Sequence, residues 1–237
     1  MCMSQTEKGR LFVVSTPIGN LGDVTYRSVE TLQQVALIAA EDTRRTKTLL
    51  THYSIARPLS SYNSYNCSKK GPELIRKLLR GEDIALVSDA GTPGVSDPLY
   101  QLVQLALAEE IEVISIPGPS AVLSALTVSG LPMDRFRYEG FLPRKKRRRK
   151  TLEELANQPA TVVLFESPQR IEKTLIELRE VFGNRKAALT RELTKKHEEV
   201  LRGSLDDLVN ACQGRQWKGE ITLVLSGKQK EKGKKEA

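Results

Sequence analysis

With 237 residues, of which 39% are hydrophobic and 28% charged, the chain has the composition of an ordinary globular protein of one or two domains. It contains no run of about 18 apolar residues, its first ten residues are polar, and its three cysteines and two histidines are scattered; we therefore expect a cytoplasmic protein without a membrane span, a signal peptide, a disulfide framework or a metal site. The formal net charge of +8, from 37 Lys and Arg against 29 Asp and Glu, favours a polyanionic partner such as RNA.

The first half of the chain alternates apolar runs with amphipathic stretches. The apolar runs, predicted as β-strands, are residues 11–15, 36–40, 84–88 and 112–116. Helical spacing of apolar residues predicts helices at residues 25–34, 45–51, 72–79 and 98–109, the third opened by Pro72 after a mostly polar segment. Continuous apolar strands separated by helices indicate a mainly parallel sheet that is covered on both faces.

The second half predicts a different sheet. A helix at residues 120–129 and a break at 130–132 mark the junction, and strands follow at 161–166, 186–191 and 220–226, with a helix at 168–182. Residues 187–191 and 198–201 are close enough in sequence to pair antiparallel, which makes this sheet mixed. We therefore predict an N-terminal domain over residues 1–119, a C-terminal domain over 120–227 and a flexible basic tail over 228–237.

Three loops that follow predicted strands combine Gly with Pro: residues 16–20, 89–93 and 117–121. Open parallel sheets bind ligands beyond the carboxyl ends of their strands. Small side chains let the backbone approach a ligand, and proline stiffens the turn. None of the loops has the Walker or the G-x-G-x-x-G pattern, which argues against a P-loop enzyme and an ordinary NAD site.

Eight motifs now occur in a recognisable order: VSTPIGNLGD (14–23), AEDTR (40–44), VSDAGTPG (87–94), IPGPSA (116–121), EGFLP (139–143), FESP (165–168), RELTKKHEE (191–199) and GE (219–220). Together they resemble the ribosomal RNA small subunit methyltransferase I family, within the tetrapyrrole methylase-like superfamily. The resemblance covers the chain from about residue 11 to residue 227.

This resemblance implies an α/β protein of two α/β domains, the class III methyltransferase fold, with S-adenosylmethionine bound in a cleft between them. It implies methyl transfer to the ribose 2′-hydroxyl of a cytidine, numbered 1402, in the decoding region of 16S rRNA. The implied partners are 16S rRNA or the small ribosomal subunit, and a second copy of the chain in a homodimer. The implied cofactor-binding residues are Pro17, Gly19, Asp89, Ala90, Gly91, Pro93, Ser120, Ala121, Phe165, Gly219 and Glu220.

A ribose hydroxyl is a poor nucleophile, so the enzyme must align it with the methyl group and help to remove its proton. We expect Asp42 or Glu192 to aid deprotonation, and Arg44 and Lys195 to hold RNA phosphates or the ribose. The alternative for Asp42 and Arg44 is a structural ion pair.

Their neighbours favour other roles. Glu198 and Glu199 fit a solvated strand face better than a catalytic one, and His197 fits a surface position. For Phe165, core packing is the ordinary role, and contact with the adenine ring is what the resemblance adds.

The cations are concentrated in two segments. Residues 144–150 are seven consecutive Lys and Arg, which we expect to contact RNA at the entry of the second domain, and residues 228–235 form a solvated tail. Neutralising residues 147–150 should weaken RNA binding and flatten its salt dependence. With six Tyr, five Phe and one Trp, an aromatic stacking platform is not expected.

Two other functions remain open. A tetrapyrrole-precursor methyltransferase has the same fold, although its relatives carry a more glycine-rich first loop than residues 15–20 here, and an absorbance change with a uroporphyrinoid would reveal it. A non-catalytic RNA-binding or ribosome-assembly factor would leave no labelled methyl groups on RNA.

Overall fold

The computed structural model of the protein describes residues 7–94 and 99–229, and it divides the chain into two compact units, Met1–Ser120 and Ala121–Ala237. Cys2, Pro98 and most of the expected basic tail lie outside the described residues. Cys67 and Cys212 are buried free thiols.

The first unit contains a five-stranded, all-parallel sheet in the order β3-β2-β4-β1-β5. The strands are β1 (Leu11–Val14), β2 (Leu37–Ala40), β3 (Leu59–Ser61), β4 (Ile84–Val87) and β5 (Val113–Ile116). The predicted parallel sheet is confirmed. The sequence pattern does not predict β3, because this three-residue edge strand is only half-buried and lacks an apolar run.

Helices cover both faces of this sheet, as the continuous apolar strands predicted. They are α1 (Tyr26–Gln34), α2 (Thr43–His52), α3 (Cys67–Leu78) and α4 (Leu99–Ala108), with a short 3-10 helix at Leu21–Asp23. Leu11 and Leu86 pack with apolar residues of α3 and α4, such as Leu74, in one core. Val14 and Val87 pack with residues of α1 and α2 in the other.

The start of α3 corrects the sequence prediction, since Pro72 lies inside the helix instead of opening it. The chain enters α3 through a turn in which Asn63 N donates to Asn66 Oδ1 at 2.9 Å and Cys67 N donates to Asn63 O at 2.9 Å. Proline removes the hydrogen bond that residue 72 would donate to Ser68. Both Ser68 and Pro72 are exposed, so solvent can hydrate the free carbonyl.

The second unit contains a mixed sheet in the order β6-β7-β10-β8-β9. Its elements are α5 (Ala121–Ser129), β6 (Phe136–Phe141), α6 (Arg148–Ala156), β7 (Thr161–Glu166), α7 (Ile171–Phe182), β8 (Lys186–Arg191), β9 (Glu199–Ser204), α8 (Leu205–Cys212) and β10 (Ile221–Leu225). β6 and β7 are parallel, whereas β10 is antiparallel to β7 and β8. The predicted antiparallel pairing of β8 with β9 is confirmed.

Strand register brings the functional motifs of the second unit to one edge of its sheet. Ile221 at the start of β10 pairs with Glu166 at the end of β7 and with Arg191 at the end of β8. Phe141 at the end of β6 pairs with Phe165. Among the helices that the structure describes, none has the length and apolar character of a membrane span.

Candidate active site

In the first unit, the loops after β1 and β4 are joined by backbone hydrogen bonds. Thr16 N donates to Gly91 O at 2.9 Å and Gly91 N donates to Thr16 O at 3.0 Å. Thr16 Oγ1 also donates to Ser88 O at 3.2 Å. Gly91 adopts a φ of 77°, a conformation that favours glycine. The two loops therefore form one rigid rim at the carboxyl edge of the sheet.

Thr92 connects this rim to the loop after β5. Its Oγ1 accepts a hydrogen bond from Ser15 Oγ at 3.1 Å and donates to Pro119 O at 3.2 Å. A Cβ at Gly118 would come within 2.9 Å of Ser15 Cβ, so the close approach of the two loops requires a glycine there. All three Gly-Pro loops thus meet, as expected for the ends of parallel strands.

Acidic groups join the loops after β2 and β4. Asp42 N donates to Asp89 Oδ1 at 2.9 Å, and Asp89 N donates to Glu41 Oε2 at 3.2 Å. Arg45 Nη1 lies 3.4 Å from Asp89 Oδ2. Glu41, within the AEDTR motif, and Arg45, which follows it, are not among the predicted site residues, because charge alone does not show which side chain points back across the sheet edge.

Asp42 and Arg44 form an ion pair, which the sequence analysis gives as the alternative to their roles in deprotonation and RNA binding. Arg44 Nη2 donates to Asp42 Oδ2 at 2.7 Å and its Nε donates to Oδ1 at 3.1 Å. Asp42 also caps α2 by accepting from Arg44 N at 2.9 Å. These hydrogen bonds from Arg44 lower the pKa of Asp42 to about 2. Asp42 is therefore a weak base, while the Arg44 side chain stays 89% exposed and accessible.

A hollow of about 110 Å³ opens among these loops. Pro17 and Asp89 line it together with Thr16, Ser88 and Arg45. The remaining expected cofactor residues of this unit differ in exposure: Gly91 and Pro93 are buried, Gly19 and Ala90 are exposed, and Ser120 is half-buried. The hollow has room for part of a nucleoside.

In the second unit, Glu192, Lys195 and Glu220 form an ion-pair cluster. Lys195 Nζ donates to Glu192 Oε1 at 2.7 Å and to Glu220 Oε2 at 3.0 Å. Glu192 Oε1 also accepts from Glu220 N at 3.0 Å. Gly219 has a φ of 88°, and a Cβ at this position would overlap with the Glu192 side chain. Glycine is therefore required for the close approach of the two loops.

The charge states of this cluster follow from its hydrogen bonds. Burial raises the pKa of the Glu192 carboxyl, but the hydrogen bonds from Lys195 and Glu220 N outweigh it, so the pKa lies below its ordinary value. Burial lowers the pKa of the Lys195 ammonium, and its bonds to both glutamates outweigh this and raise the pKa. At neutral pH the cluster holds a carboxylate beside a fixed ammonium.

The backbone of this segment adopts sparsely populated conformations. Glu192 has a φ of 50° and Thr194 a φ of 69°, both unusual for residues with a side chain. The buried Thr194 Oγ1 has no hydrogen-bond partner among the described residues. Such strain is concentrated at functional sites, where the surrounding structure maintains it.

The neighbours Glu198 and Glu199 both accept hydrogen bonds from protein groups. Glu199 accepts hydrogen bonds from Arg191 Nε at 3.1 Å and from Arg215 Nη2 at 2.6 Å, which lower its pKa. Glu198 Oε2 accepts from Thr194 N at 2.6 Å, and His197 is exposed.

Phe165 is half-buried within an aromatic cluster. Its ring centroid lies 5.2 Å from that of Tyr138 and 5.7 Å from that of Phe141, both edge-on. Phe141 is 54% exposed, so the cluster reaches the surface. Ala121, the remaining expected cofactor residue, begins α5 and is half-buried.

The run of seven cations is divided by the fold, because α6 begins at Arg148 and residues 144–147 precede it. The Arg148 side chain is only 12% exposed, because its Nε donates to Glu177 Oε2 at 2.6 Å and its Nη2 to Thr174 Oγ1 at 2.7 Å. Arg149 pairs with Glu153 on the exposed side of the helix.

Comparison with known proteins agrees with this architecture. The family model of the tetrapyrrole (corrin/porphyrin) methylases matches residues 10–209. The chain is 50% identical over 222 residues to the ribosomal RNA small subunit methyltransferase I of Halalkalibacterium halodurans, covering 93% of this chain and 77% of that protein. It is 48% identical over 221 residues to the protein of the same name from Thermotoga maritima, covering 93% and 100%.

The chain belongs to the ribosomal RNA small subunit methyltransferase I family. The motif resemblance is thereby confirmed. Within the wider tetrapyrrole methylase fold, the uroporphyrin III C-methyl transferase of Thermus thermophilus superposes with a TM-score of 0.64 at 16% identity, covering 91% of this chain and 97% of that one. The family fold, with a parallel sheet followed by a mixed one, agrees with the expected fold class.

Proposed function

We propose that the protein transfers a methyl group from S-adenosylmethionine to the ribose 2′-hydroxyl of a cytidine in small-subunit rRNA, at position 1402 of the decoding region. The observation that carries the proposal is the Glu192–Lys195–Glu220 cluster, in which one oxygen of the Glu192 carboxylate is fixed by two hydrogen bonds and the other accepts none from the described part of the chain. The names of relatives at 48% and 50% identity support the RNA substrate.

The residues at the carboxyl edge of the first sheet fit the cofactor chemically. Asp89 supplies a carboxylate for ribose hydroxyls or an ammonium group, and Thr16 and Ser88 supply hydroxyl and backbone groups beside it. When bound, S-adenosylmethionine supplies a methyl group on a positively charged sulfur. The rigid, small-residue loops hold the backbone close to a ligand, and Phe165 offers an aromatic edge for an adenine ring.

Glu192 is the better candidate for the proton acceptor. Its Oε1 accepts hydrogen bonds from Lys195 and Glu220 N, whereas its Oε2 has no partner among the described residues. Both oxygens of Asp42 are bound by Arg44, and Asp42 also caps α2. Asp42 thus acts as a positioning residue for Arg44.

The two cations have distinct roles. Lys195 fixes the orientation of Glu192 and, as a stable ammonium, holds the ribose or an adjacent phosphate. Arg44 extends into solvent from a short, fixed anchor and is suited to a phosphate of the RNA backbone.

The decisive experiment is incubation of the purified protein with radiolabelled S-adenosylmethionine and unmodified small ribosomal subunits, followed by nucleotide mapping. We expect one labelled ribose, at the proposed cytidine. Label on a base, or on a uroporphyrinoid instead of RNA, contradicts the proposal, and so does calorimetry that detects no binding of the cofactor or its demethylated product.

The resemblance also implies a cytoplasmic homodimer, which we retain as part of the proposal. Light scattering of the purified protein across a range of concentrations measures the oligomeric state, and a monomer at all concentrations contradicts it.

A further inference from the structure

A second pocket lies in the C-terminal unit, where β6 and β7 end and the chain leads into α6 and α7. It has a volume of about 720 Å³ and is open to solvent, which is enough space for a nucleotide. Four cationic side chains line it: Arg144, Arg148, Arg170 and Lys173.

Two of these cations are fixed by the interior of the fold. Arg170 Nη2 lies 2.5 Å from Oε1 of Glu166, a carboxylate that is itself almost fully buried. Thr174 Oγ1 donates to Glu166 Oε2 at 2.7 Å and accepts from Arg148 Nη2 at 2.7 Å. Glu177 binds the other side of Arg148. The two guanidinium groups are thus held in position without a ligand, which lowers the entropy cost of binding an anion.

The other two cations are not neutralised to the same extent. Arg144 is exposed and has no ion pair with a described residue. The Lys173 side chain is 80% exposed, and its Nζ lies 3.9 Å from Glu177, which Arg148 already binds at 2.6 Å. Two carboxylates, Glu166 and Glu177, therefore face four cations, and the pocket carries an excess of positive charge.

The remaining lining has the donors and the apolar surface that a nucleotide requires. Ser167 and Gln169 contribute a hydroxyl and an amide, and Phe141 contributes an exposed ring at the rim. Guanidinium groups match the oxygens of a phosphate in geometry as well as in charge. An open pocket also lets a chain enter and leave on both sides of the bound phosphate.

From this arrangement we infer that the pocket binds a backbone phosphate of the RNA, with the adjacent nucleoside against Phe141. The inference rests on the proposed function for the identity of the RNA. The inference differs from the expectation for residues 147–150. The binding residues are Arg144, Arg148, Arg170 and Lys173. Arg149 and Lys150 do not take part, because they lie on the exposed side of α6.

The test removes the two unneutralised cations in the double variant Arg144→Ala/Lys173→Ala. The matched control is Arg135→Ala/Lys186→Ala, which removes one exposed arginine and one exposed lysine elsewhere in the same unit. Fluorescence anisotropy measures the affinity of each protein for a labelled RNA hairpin of the decoding region at several salt concentrations.

We expect the pocket variant to bind about tenfold more weakly and the slope of log affinity against log salt to fall by roughly 0.7 to 0.9 for each phosphate that the variant no longer neutralises. The control should move the slope by less than half as much. Equal slopes for the two double variants overturn the inference. Binding of cytidine monophosphate that the pocket variant abolishes, without any change in the RNA slope, assigns the pocket to a small phosphate ligand and also overturns it.

Methyl transfer is measured on the same samples, so that the two hypotheses fail separately. If the wild-type protein transfers no methyl group, the proposed function fails, and the RNA slope still decides the role of the pocket. Circular dichroism and Trp217 emission verify that both double variants are folded.

Discussion

At the scale of single residues, the two carboxylate oxygens of Glu192 differ in their hydrogen bonds, and from this difference we infer that Glu192 is the base. Oε1 is fixed by Lys195 and by the backbone of Glu220, while Oε2 can accept a proton from a substrate hydroxyl. A base held in one orientation does not have to search for its proton during the reaction. Asp42 lacks such an oxygen because Arg44 binds both of its own.

We predict that Glu192→Gln lowers kcat for methyl transfer by about 10²- to 10⁴-fold, the usual contribution of a general base. The amide oxygen can still accept from Lys195, so cofactor affinity should stay within about twofold. Asp42→Asn keeps a side-chain oxygen for capping α2 and should lower kcat by less than about tenfold, with a larger effect on KM for RNA. Single-turnover assays separate the two effects, and the reverse ranking of the variants would make Asp42 the base.

The pH dependence of the wild-type enzyme follows from the same hydrogen bonds. Because the pKa of Glu192 lies below its ordinary value, its carboxylate stays ionised as the pH falls into the range in which a free glutamate begins to take up a proton. The rate therefore should show no protonation step from this group between about pH 6 and 8. A step there that Glu192→Gln abolishes contradicts this assignment.

At the scale of elements, glycine positions in the loops determine how closely the functional segments approach. Gly219 and Gly214 both adopt positive φ values, 88° and 68°. A Cβ on Gly219 would overlap with Glu192, whereas a Cβ on Gly214 would meet no atom within 4 Å. Both positions therefore need a residue that tolerates a positive φ, but only position 219 lacks room for a Cβ atom.

We predict that Gly219→Ala and Gly214→Ala each cost about 1 to 2 kcal/mol of unfolding free energy, because both place a side chain in the left-handed region. Only Gly219→Ala should also displace Glu192, and we expect its kcat to fall by roughly ten- to a hundredfold. Urea unfolding and methyl-transfer assays on both variants measure the two effects. Equal loss of kcat in both variants would show that backbone strain, not the displacement of Glu192, limits the rate.

The elements also show where sequence reasoning succeeds. Continuous apolar runs identified β1, β2, β4 and β5, because burial on both faces leaves an unmistakable pattern. The pattern is absent from β3, a half-buried edge strand, and from β6, which Gly140 interrupts with a bulge. The start of α6 was hidden because its first turn consists of cations whose role depends on distant partners.

The candidate site was predictable to a similar depth. The Gly-Pro loops and the charged motifs place the expected residues at strand ends, which sequence order alone indicates. The partners of those residues were not predictable, since Glu41 reaches Asp89 and Glu166 reaches Arg170 and Thr174 only through the register and helix orientation of the folded chain. Sequence therefore indicates which residues are polar at a sheet edge, and tertiary structure decides which of them remain uncommitted.

At the scale of the whole molecule, each unit has its own sheet and its own buried apolar residues, and Glu166 is a buried carboxylate in the second unit. Its carboxylate connects the end of β7 to Arg170, Thr174 and Arg148, and so joins the strand to α6 and α7. Neutralising one member of a buried ion pair lowers the unfolding free energy, because the opposite charge stays buried without compensation.

Glu166→Gln should therefore lower the unfolding free energy of the second unit by about 3 to 5 kcal/mol, since it leaves the charges of Arg170 and Arg148 with insufficient compensation. The control Glu153→Gln breaks an exposed pair with Arg149 and should cost no more than about 0.5 kcal/mol. Trp217, the one tryptophan of the chain, lies in the second unit and reports its urea transition by fluorescence. Similar transition midpoints for the two variants would mean that solvent or a shift of the helices compensates the arginines, and that Glu166 does not preorganise the cationic pocket.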